Sequence, residues 1–311
     1  MKVKVTNVAF SKNDYLVDAL KNKFPDSVVN EDGKRMNGDN LVDYLKDAEA
    51  AIVGLELITS EILDKLPDLK MIAKYGVGLD NIDLNACKQR GVNVGWTGGV
   101  NKRSVAEMTL GFMLALCRNL YSTSNELKTL LWNKNGGLQL TGKKIGIIGI
   151  GNIGKEVVAL LKPFKCEILV NDIIDLSVFA KKEGVIISSK DQIYREADII
   201  TIHTPFKKDT ENMLNAEAFA LMKQSAFVIN TARGGIINEE DLKKALKNKL
   251  ISGAAIDVYE TEPPIDKELL SLPNLICTPH TGGNSYEAVV AMGLSAISHL
   301  DNYQQLYKKI K

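Results

Sequence analysis

Three glycines in the middle of the chain have the spacing of a dinucleotide-binding turn. Gly149, Gly151 and Gly154 form the pattern G-x-G-x-x-G. The pattern follows an apolar, β-branched run and opens an amphipathic stretch, which is the strand–turn–helix context that the motif requires. The first glycine permits a tight turn, the second lets the backbone approach a pyrophosphate, and the third allows close packing of helix on strand. The segment therefore predicts a site for a dinucleotide cofactor at a helix N-terminus.

An acidic residue follows this motif at the position expected for ribose recognition. Asp172 ends the next apolar run, about 20 residues beyond the glycines. A carboxylate there binds the ribose diol and repels a 2′-phosphate. No Lys or Arg follows it immediately. The pattern therefore predicts NAD rather than NADP as the cofactor, the alternative being a solvated aspartate at a strand end.

Three late segments carry reactive side chains, each after an apolar run. They contain Arg233, Glu262 and His280. The carboxyl ends of parallel strands line the ligand crevice of a doubly wound sheet, so these side chains can converge. The chain has only 3 histidines, which disfavours a histidine cluster or a zinc site, and we predict no metal. His203 ends another apolar run near the expected cofactor, and it is interpreted either as a packing residue or as one that supports the residues in contact with the ligand.

The elements that position these residues alternate between apolar strands and amphipathic helices. This alternation predicts α/β architecture with parallel sheets. A longer helix is expected from a capping box at Ser104 and Glu107, and a last helix from about Ser285 to Lys308, with its N-cap at Asn284-Ser285. Other helices are expected at 15–23, 39–46, 60–65, 84–90, 153–161 and 239–248. Strands are expected at 3–5, 51–53, 71–73, 92–94, 144–148, 167–170, 199–202, 227–229, 254–256 and 275–277.

Length and composition restrict the class of protein. The 311 residues are enough for two domains, and 45% hydrophobic with 25% charged residues is typical of a globular protein. The 39 basic residues nearly balance the 38 acidic ones, which argues against a nucleic-acid partner. No signal peptide or membrane-spanning run is evident, and the 4 cysteines form no C-x-x-C pair. We therefore expect a cytoplasmic protein that acts without a membrane.

Taken together, the motifs resemble those of the D-isomer-specific 2-hydroxyacid dehydrogenase family, which includes phosphoglycerate, glyoxylate/hydroxypyruvate and D-lactate dehydrogenases. The resemblance covers nearly the whole chain, including residues 74–83, Ser104 to Glu107, the glycine motif and the three late segments. It implies an α/β fold of two doubly wound domains. A Rossmann NAD-binding domain would occupy 99–283. A smaller flavodoxin-like substrate domain would combine 1–98 with 284–311.

The resemblance also implies an activity: hydride transfer between NAD and a small anionic 2-hydroxy or 2-oxo acid. Arg233 would pair with the substrate carboxylate and polarise the 2-oxo oxygen. His280 would be the general acid–base, and Glu262 would hydrogen-bond its other ring nitrogen and fix the tautomer. Asp257 would contact the nicotinamide carboxamide. The expected cofactor-binding residues are Gly149, Gly151, Asn152, Ile153, Gly154, Asp172, Thr204, Ala232 and Asp257.

The sequence says less about which 2-hydroxy acid is the substrate than about the type of reaction. By the resemblance, backbone N–H groups at Val77 and Gly78 would bind the substrate carboxylate, the alternative being an ordinary turn. Lys74 stands where phosphoglycerate-type relatives often carry Arg, and Lys102 and Arg103 follow near the domain junction. Each is a candidate for binding a second anionic group such as a phosphate, or else is a solvated surface charge. The candidate substrates are 3-phosphoglycerate and hydroxypyruvate or glyoxylate.

Assembly and alternative functions complete the expectations. The resemblance implies a homodimer, to which the helix from Ser104 would contribute an apolar face. A non-enzymatic NAD-sensing protein, like the C-terminal binding protein corepressors, is one alternative function. A Rossmann-type methyltransferase is another, disfavoured because Asp172 and the Arg233, Glu262 and His280 set have no role in methyl transfer.

Overall fold

The computed structural model describes residues 1–310, with side chains described as far as Leu306. Its internal contacts divide the chain into two compact units. Unit 1 consists of Met1–Asn101 and the segment from Asn284 onward, and unit 2 consists of Lys102–Gly283. Each unit is an α/β structure with its own parallel sheet, as the alternation of strand and helix patterns predicted.

The strands are short and mostly buried. Those of unit 1 are β1 (Val3–Val5), β2 (Ala50–Val53), β3 (Met71–Lys74) and β4 (Asn93–Gly95). Those of unit 2 are β5 (Lys144–Ile148), β6 (Glu167–Asn171), β7 (Ile186–Ile187), β8 (Ile199–Ile202), β9 (Phe227–Asn230), β10 (Gly253–Ile256) and β11 (Leu275–Cys277).

Helices connect the strands. In unit 1 they are α1 (Val8–Ser11), α2 (Asp14–Lys23), α3 (Gly38–Leu45), α4 (Ser60–Asp64), α5 (Leu84–Gln89) and α14 (Tyr286–Ile310). In unit 2 they are α6 (Lys102–Cys117), α7 (Leu120–Lys128), α8 (Asn152–Leu161), α9 (Ser177–Glu183), α10 (Lys190–Glu196), α11 (Ala216–Leu221), α12 (Glu239–Lys247) and α13 (Lys267–Leu270), with a 3-10 turn at Lys162–Phe164.

The sheet of unit 1 has the flavodoxin-like strand order. Its named strands run β1-β2-β3-β4, all parallel. Val28 forms a parallel bridge to Lys4 at the other edge of β1, where Val5 N–H donates to Val28 O. Counting this short segment as the second strand gives the order 2-1-3-4-5. Alternate strand residues enter two apolar clusters: Ile52 packs with Phe10, Leu16 and Leu300, whereas neighbouring Val53 packs with residues of α3 and α4.

The sheet of unit 2 has the Rossmann order with one added strand. It runs β7-β6-β5-β8-β9-β10-β11, all parallel, so the strand order reverses beside β5. One face packs against α6 and α8, where Met113 and Val157 meet Ile147. The other packs against α10, α11 and α12. This reversal places the crevice for a ligand at the carboxyl end of β5.

Two expectations about local structure were wrong. The sequence pattern missed β7, a two-residue edge strand. Its Ile186 and Ile187 are both exposed, so the strand has no buried apolar run from which it could be predicted. The capping box at Ser104 and Glu107 does not form, because α6 already begins at Lys102. Ser104 Oγ instead donates to the Gly282 carbonyl at 2.6 Å, and Glu107 pairs with Arg103 at 2.6 Å. The cap at Ser285 is confirmed, since its Oγ accepts from Ala288 N–H at 3.3 Å.

Among residues 1–310, no helix combines the length and apolar character needed to cross a membrane. The cysteines Cys87, Cys117, Cys166 and Cys277 are free thiols. Burial raises the pKa of all four, that of Cys117 to about 11. These thiols therefore react slowly at neutral pH.

Candidate active site

The glycine turn after β5 is a conformation that only glycine fits. Gly149 has φ +99°, and a Cβ there would lie 2.6 Å from the carbonyl carbon and oxygen of His203. A Cβ on Gly154 would run into the carbonyl oxygen of Gly149. At Gly151, by contrast, an added Cβ would meet nothing within 4 Å. The turn is therefore packed tightly on its protein side and open at Gly151, which is the shape of a cradle for a bound group.

Helix α8 begins at this turn without a side-chain cap. Its N-cap is Gly151, which offers no side-chain acceptor. Four other helices of unit 2 are capped by side chains, namely those of Ser189, Asn215, Asn238 and Asp266, whereas α7 and α9 also lack such a cap. The first N–H groups of α8, around Asn152 and Ile153, lack such an acceptor and are suited to phosphate oxygens. These residues fit the pyrophosphate of a dinucleotide.

Asp172 lies beside the same turn. One carboxylate oxygen accepts from Ile150 N–H at 2.6 Å, and the other accepts from Ile173 N–H at 2.7 Å. Ile174 N–H also donates to the second oxygen, at 3.3 Å. These bonds fix the carboxylate next to the glycines, and the oxygen bonded to Ile150 N–H retains a further lone pair for a ribose hydroxyl. The residue that follows Asp172 is Ile173, which is uncharged and 97% exposed. It offers no positive charge to a 2′-phosphate.

The segment after β8 lies against the turn, because a Cβ on Gly149 would meet the backbone of His203 and Thr204. Thr204 Oγ1 is buried and has no hydrogen-bond partner among the described residues, which fits a hydroxyl awaiting a ligand. His203 Nε2 lies 3.0 Å from Thr201 Oγ1, and burial lowers the pKa of His203 to about 3. A histidine that stays neutral across the physiological range is not suited to proton exchange.

Arg233 follows β9 in a loop that is fixed by the side chain of Asn230. Asn230 Oδ1 accepts from Ala232 N–H at 3.0 Å, and Asn230 Nδ2 donates to Arg233 O at 2.8 Å. The guanidinium donates from Nη1 to Ala232 O at 2.7 Å, and the residue is half-buried. The loop therefore holds a cation at the carboxyl end of the sheet.

Glu262 and His280 form a direct pair in unit 2. His280 Nδ1 lies 3.0 Å from Glu262 Oε1 and 2.8 Å from Oε2. Tyr259 N–H also donates to Glu262 Oε1, at 3.2 Å. Because a carboxylate only accepts, Nδ1 carries the hydrogen and the neutral ring has its lone pair on Nε2. Both side chains are partly exposed, at 42% and 39%, so a ligand can reach this pair.

Asp257 holds the loop that carries His280. It is 1% exposed, and its carboxylate accepts from Thr278 Oγ1 at 2.6 Å and from the N–H groups of Thr281 and Gly282 at 2.8 Å each. His280 between these donors has φ +53°, a left-handed conformation that is costly for a residue with a Cβ. The buried carboxylate therefore stabilises an otherwise unfavourable loop. The resemblance gave Asp257 a role towards the carboxamide only and did not predict this one.

The three reactive segments converge, as the strand-end argument predicted. A Cβ on Gly234, beside Arg233, would overlap the carbonyl of Tyr259, so the first two segments touch. Tyr259 Oη donates to Thr278 O at 2.9 Å and links the second to the third. Glu239 and Glu260 each accept the other's backbone N–H, at 2.6 and 3.1 Å, and burial raises the pKa of Glu239. Sequence reasoning missed Tyr259, Glu239 and Glu260, since none stands in a recognisable motif.

Unit 1 carries the other predicted residues. Lys74, at the end of β3, is 4% exposed, and its ammonium donates to Gly54 O and, at 2.6 Å, to Asn81 Oδ1. Gly76 follows with φ +132°, and Val77 and Gly78 are half-buried. Lys74 is therefore not the solvated surface charge that one interpretation of the sequence allowed.

Lys102 and Arg103, in unit 2, both pair with carboxylates. Lys102 Nζ lies 3.5 Å from Glu156, and Arg103 lies 3.1 Å from Glu156 and 2.6 Å from Glu107. In unit 2 the structure brings Glu262 and His280 into direct contact, and it places Asp172 and the backbone of Thr204 beside the glycine turn. It places Lys74, Val77 and Gly78 in unit 1.

Comparisons with known proteins agree with this arrangement. The family model for the NAD-binding domain of D-isomer specific 2-hydroxyacid dehydrogenases matches residues 110–282. The chain is 39% identical to D-3-phosphoglycerate dehydrogenase of Methanocaldococcus jannaschii over 260 residues, 82% of this chain and 49% of that one. It is 34% identical to hydroxypyruvate reductase of Thermotoga maritima over 287 residues, 90% of this chain and 92% of that one.

A solved structure extends the similarity to the backbone. D-lactate dehydrogenase from Aquifex aeolicus, complexed with NAD and lactic acid, has a TM-score of 0.85 with 26% identity, covering 98% of this chain and 96% of that one. The chain spans about half the length of the Methanocaldococcus phosphoglycerate dehydrogenase but nearly all of the Thermotoga hydroxypyruvate reductase.

Proposed function

Because this chain belongs to the D-isomer specific 2-hydroxyacid dehydrogenase family, whose members are NAD-dependent oxidoreductases, we propose that it interconverts a D-2-hydroxy acid and its 2-oxo acid. The observation that carries the proposal is the pair of Glu262 and His280, joined at 2.8 Å and partly exposed. A histidine oriented by a carboxylate is suited to proton exchange with the oxygen on C2.

In the reducing direction His280 Nε2 donates a proton to the 2-oxo oxygen, and in the oxidising direction it removes the proton from the hydroxyl. Glu262 holds Nδ1–H throughout and stabilises the ring when it is positively charged. The hydride at C2 would come from NADH in the reducing direction and would go to NAD⁺ in the oxidising direction, with the cofactor held by the residues of the glycine turn. Arg233 pairs with the substrate carboxylate and polarises the 2-oxo oxygen through its fork of N–H donors. The N–H groups of Val77 and Gly78 bind the same carboxylate.

The cofactor contacts belong to the same proposal. The uncapped start of α8, the open cradle at Gly151 and the unsatisfied Thr204 Oγ1 support NAD binding by Gly149, Gly151, Asn152, Ile153, Gly154 and Thr204. Asp172 binds the ribose diol, and Ala232 and Asp257 contact the nicotinamide end. Replacing Asp172 with Ala should reduce the preference for NADH over NADPH about 10-fold or more, from the loss of a hydrogen-bonding and repelling charge. An unchanged preference would contradict the assignment.

The environment of Lys74 favours an unphosphorylated substrate. To meet a phosphate, its buried ammonium would have to leave Gly54 O and Asn81 Oδ1. Lys102 and Arg103 are likewise engaged by Glu156. We therefore place hydroxypyruvate and glyoxylate ahead of 3-phosphohydroxypyruvate as the 2-oxo acid.

A homodimer in the cytoplasm is the proposed physiological form. Helix α6 keeps the half-exposed apolar residues Leu110 and Leu114, and the segment after it exposes Leu130 (91%) and Trp132 (75%). A second copy that covers this surface would remove it from water. Free, buried thiols suit a reducing compartment. Sedimentation that shows only monomer would contradict the dimer.

The decisive experiment follows NADH oxidation with glyoxylate, hydroxypyruvate, pyruvate and 3-phosphohydroxypyruvate, using His280→Ala as the control. We expect turnover that falls about 10²- to 10⁴-fold in the variant, the usual contribution of a general acid–base. Tight NADH binding without turnover of any of these acids would instead favour an NAD-sensing protein.

A further inference from the structure

Trp96 makes a single, well-placed hydrogen bond in unit 1. It follows β4 directly, and its indole Nε1 donates to the carbonyl oxygen of Val77 at 2.8 Å. The residue is 41% exposed, so a buried core does not account for its size. The indole thus contacts the loop from Gly76 to Gly78 at the carboxyl end of the sheet, where parallel α/β sheets bind ligands.

The direction of this bond determines where a neighbouring N–H points. Val77 C=O and Gly78 N–H belong to one planar trans peptide unit, in which the two groups point in opposite directions. With the carbonyl directed at the indole of Trp96, the Gly78 N–H is directed away from it. Within the described part of the chain, this N–H donates to no protein acceptor. It is a half-buried donor held in a fixed orientation.

Glycine makes such control necessary. Gly78 tolerates φ of either sign, so the peptide between Val77 and Gly78 can rotate by half a turn at little cost. In the rotated state the carbonyl, with its partial negative charge, would take the place of the N–H and repel a carboxylate. The bond from Trp96 favours the N–H orientation.

We infer that Trp96 is a positioning residue that holds the Gly78 N–H in the orientation needed to bind the substrate carboxylate. The inference rests on the proposed function, in which the loop binds that carboxylate. Trp96 acts through the peptide, and the effect requires only the indole N–H.

The first test replaces Trp96 with Phe, which keeps an aromatic ring and removes the donor. A hydrogen bond of this kind corresponds to an about 3- to 10-fold change in population, so KM for the 2-oxo acid should rise by that factor while kcat changes less than about 2-fold. Trp132→Phe is the matched control, because Trp132 is the other tryptophan and lies in unit 2. Its KM should be unchanged. Loss of kcat at constant KM in Trp96→Phe would indicate general destabilisation and overturn the inference.

A sharper variant replaces Trp96 with 3-benzothienylalanine, in which sulfur takes the place of the indole N–H and the ring shape is kept. It should raise KM as Trp96→Phe does. Wild-type KM in this variant would show that ring packing alone matters and would overturn the inference.

A binding measurement distinguishes a failure of this inference from a failure of the proposed function. The Kd of oxamate, a 2-oxo acid analogue that is not reduced, is measured calorimetrically with NADH bound. It should rise about 3- to 10-fold in Trp96→Phe and stay unchanged in Trp132→Phe. That result without turnover of any 2-oxo acid would remove the proposed function and leave the inference standing. Oxamate that binds equally to all three proteins, or to none, would overturn the inference.

Discussion

The loop that carries His280 and the loop from Gly76 to Gly78 are held in opposite ways. Both follow strands of parallel sheets, and both contain a positive φ. The His280 loop is fixed by the buried carboxylate of Asp257, which accepts three hydrogen bonds, and by Glu262 on the imidazole. In the glycine loop one indole N–H fixes a peptide that glycine leaves free to rotate.

The difference follows from what each loop must deliver. A proton-transferring side chain has to keep one tautomer and one position, and hydrogen bonds to a charged group, each contributing about 1.5–3 kcal/mol, provide this. An N–H that binds a carboxylate needs only the correct peptide orientation, for which a neutral bond of about 0.5–1.5 kcal/mol suffices. Substitutions should therefore affect the first loop more than the second.

The largest effect is expected at Glu262. Glu262→Ala removes the acceptor that orients His280, and kcat should fall about 10²- to 10³-fold, because the ring loses its tautomer and its position. Steady-state rates with NADH and the best 2-oxo acid measure this. Glu260→Gln serves as the control, since Glu260 lies in the same segment but contacts Glu239 N–H rather than the imidazole. Equal losses in both variants would indicate damage to the segment as a whole.

The second-largest effect is expected for Asp257→Ala, which should lower the stability of the protein. It leaves the N–H groups of Thr281 and Gly282 without their acceptor, of which that of Gly282 is buried, and it releases the strained φ of His280. Together these losses should lower the free energy of unfolding of unit 2 by about 3 kcal/mol. Urea unfolding followed by Trp132 emission, in a Trp96→Phe background, reports on unit 2 alone. Wild-type stability in this variant would show that the loop holds without the carboxylate.

Gly76→Ala should have a smaller effect, confined to unit 1. Its φ of +132° is strained for any residue with a Cβ, and the added methyl would lie 3.3 Å from Lys74 Cε. We expect a loss of about 1–3 kcal/mol, measured by urea unfolding with Trp96 emission in a Trp132→Phe background. Gly98→Ala is a control in the same unit, at a position without a positive φ. An equal loss there would argue against backbone strain as the cause.

The smallest expected effect is the contribution of His203 to the pH dependence of the free energy of unfolding. Burial holds its folded-state pKa at about 3, below the ordinary 6.5 of the unfolded chain, so the unfolded state binds the proton first as pH falls. Its contribution to stability is complete above pH 6.5 and decreases below it, by about 1 kcal/mol between pH 6.5 and 5.5. His203→Gln should flatten this part of the curve. An unchanged slope would assign the dependence to other groups.

Sequence patterns predicted the buried strands and most of the longer helices, gave no bounds for short helices such as α1, α10, α11 and α13, and missed two elements that have no buried residue. Strands such as β5 and β8 are apolar runs, whereas β7 has two exposed isoleucines and α7 buries no residue, so neither leaves a periodic signal. The capping box failed because a motif of four residues cannot show that Lys102 already starts the helix.

Residues of the candidate site could be predicted where they stand in a recognisable sequence motif. The glycine turn and the convergence of Arg233, Glu262 and His280 follow from residue types at strand ends. The burial of Lys74 and the bond from Trp96 to Val77 depend on which loops meet in three dimensions, and the sequence around them carries no signal of it.

Unit 1 is formed by two stretches of the chain that are separated in sequence by unit 2, and this affects its folding during synthesis. Phe10, Leu16 and Leu20 are covered by Met292, Ala296 and Leu300 of α14, the last helix of the chain. All of unit 2 is made between these two sets of residues. On the ribosome, unit 2 can therefore complete its fold while the first hundred residues still expose one apolar face to water and to chaperones. Helix α14 then covers the apolar face of the unit that the first hundred residues began.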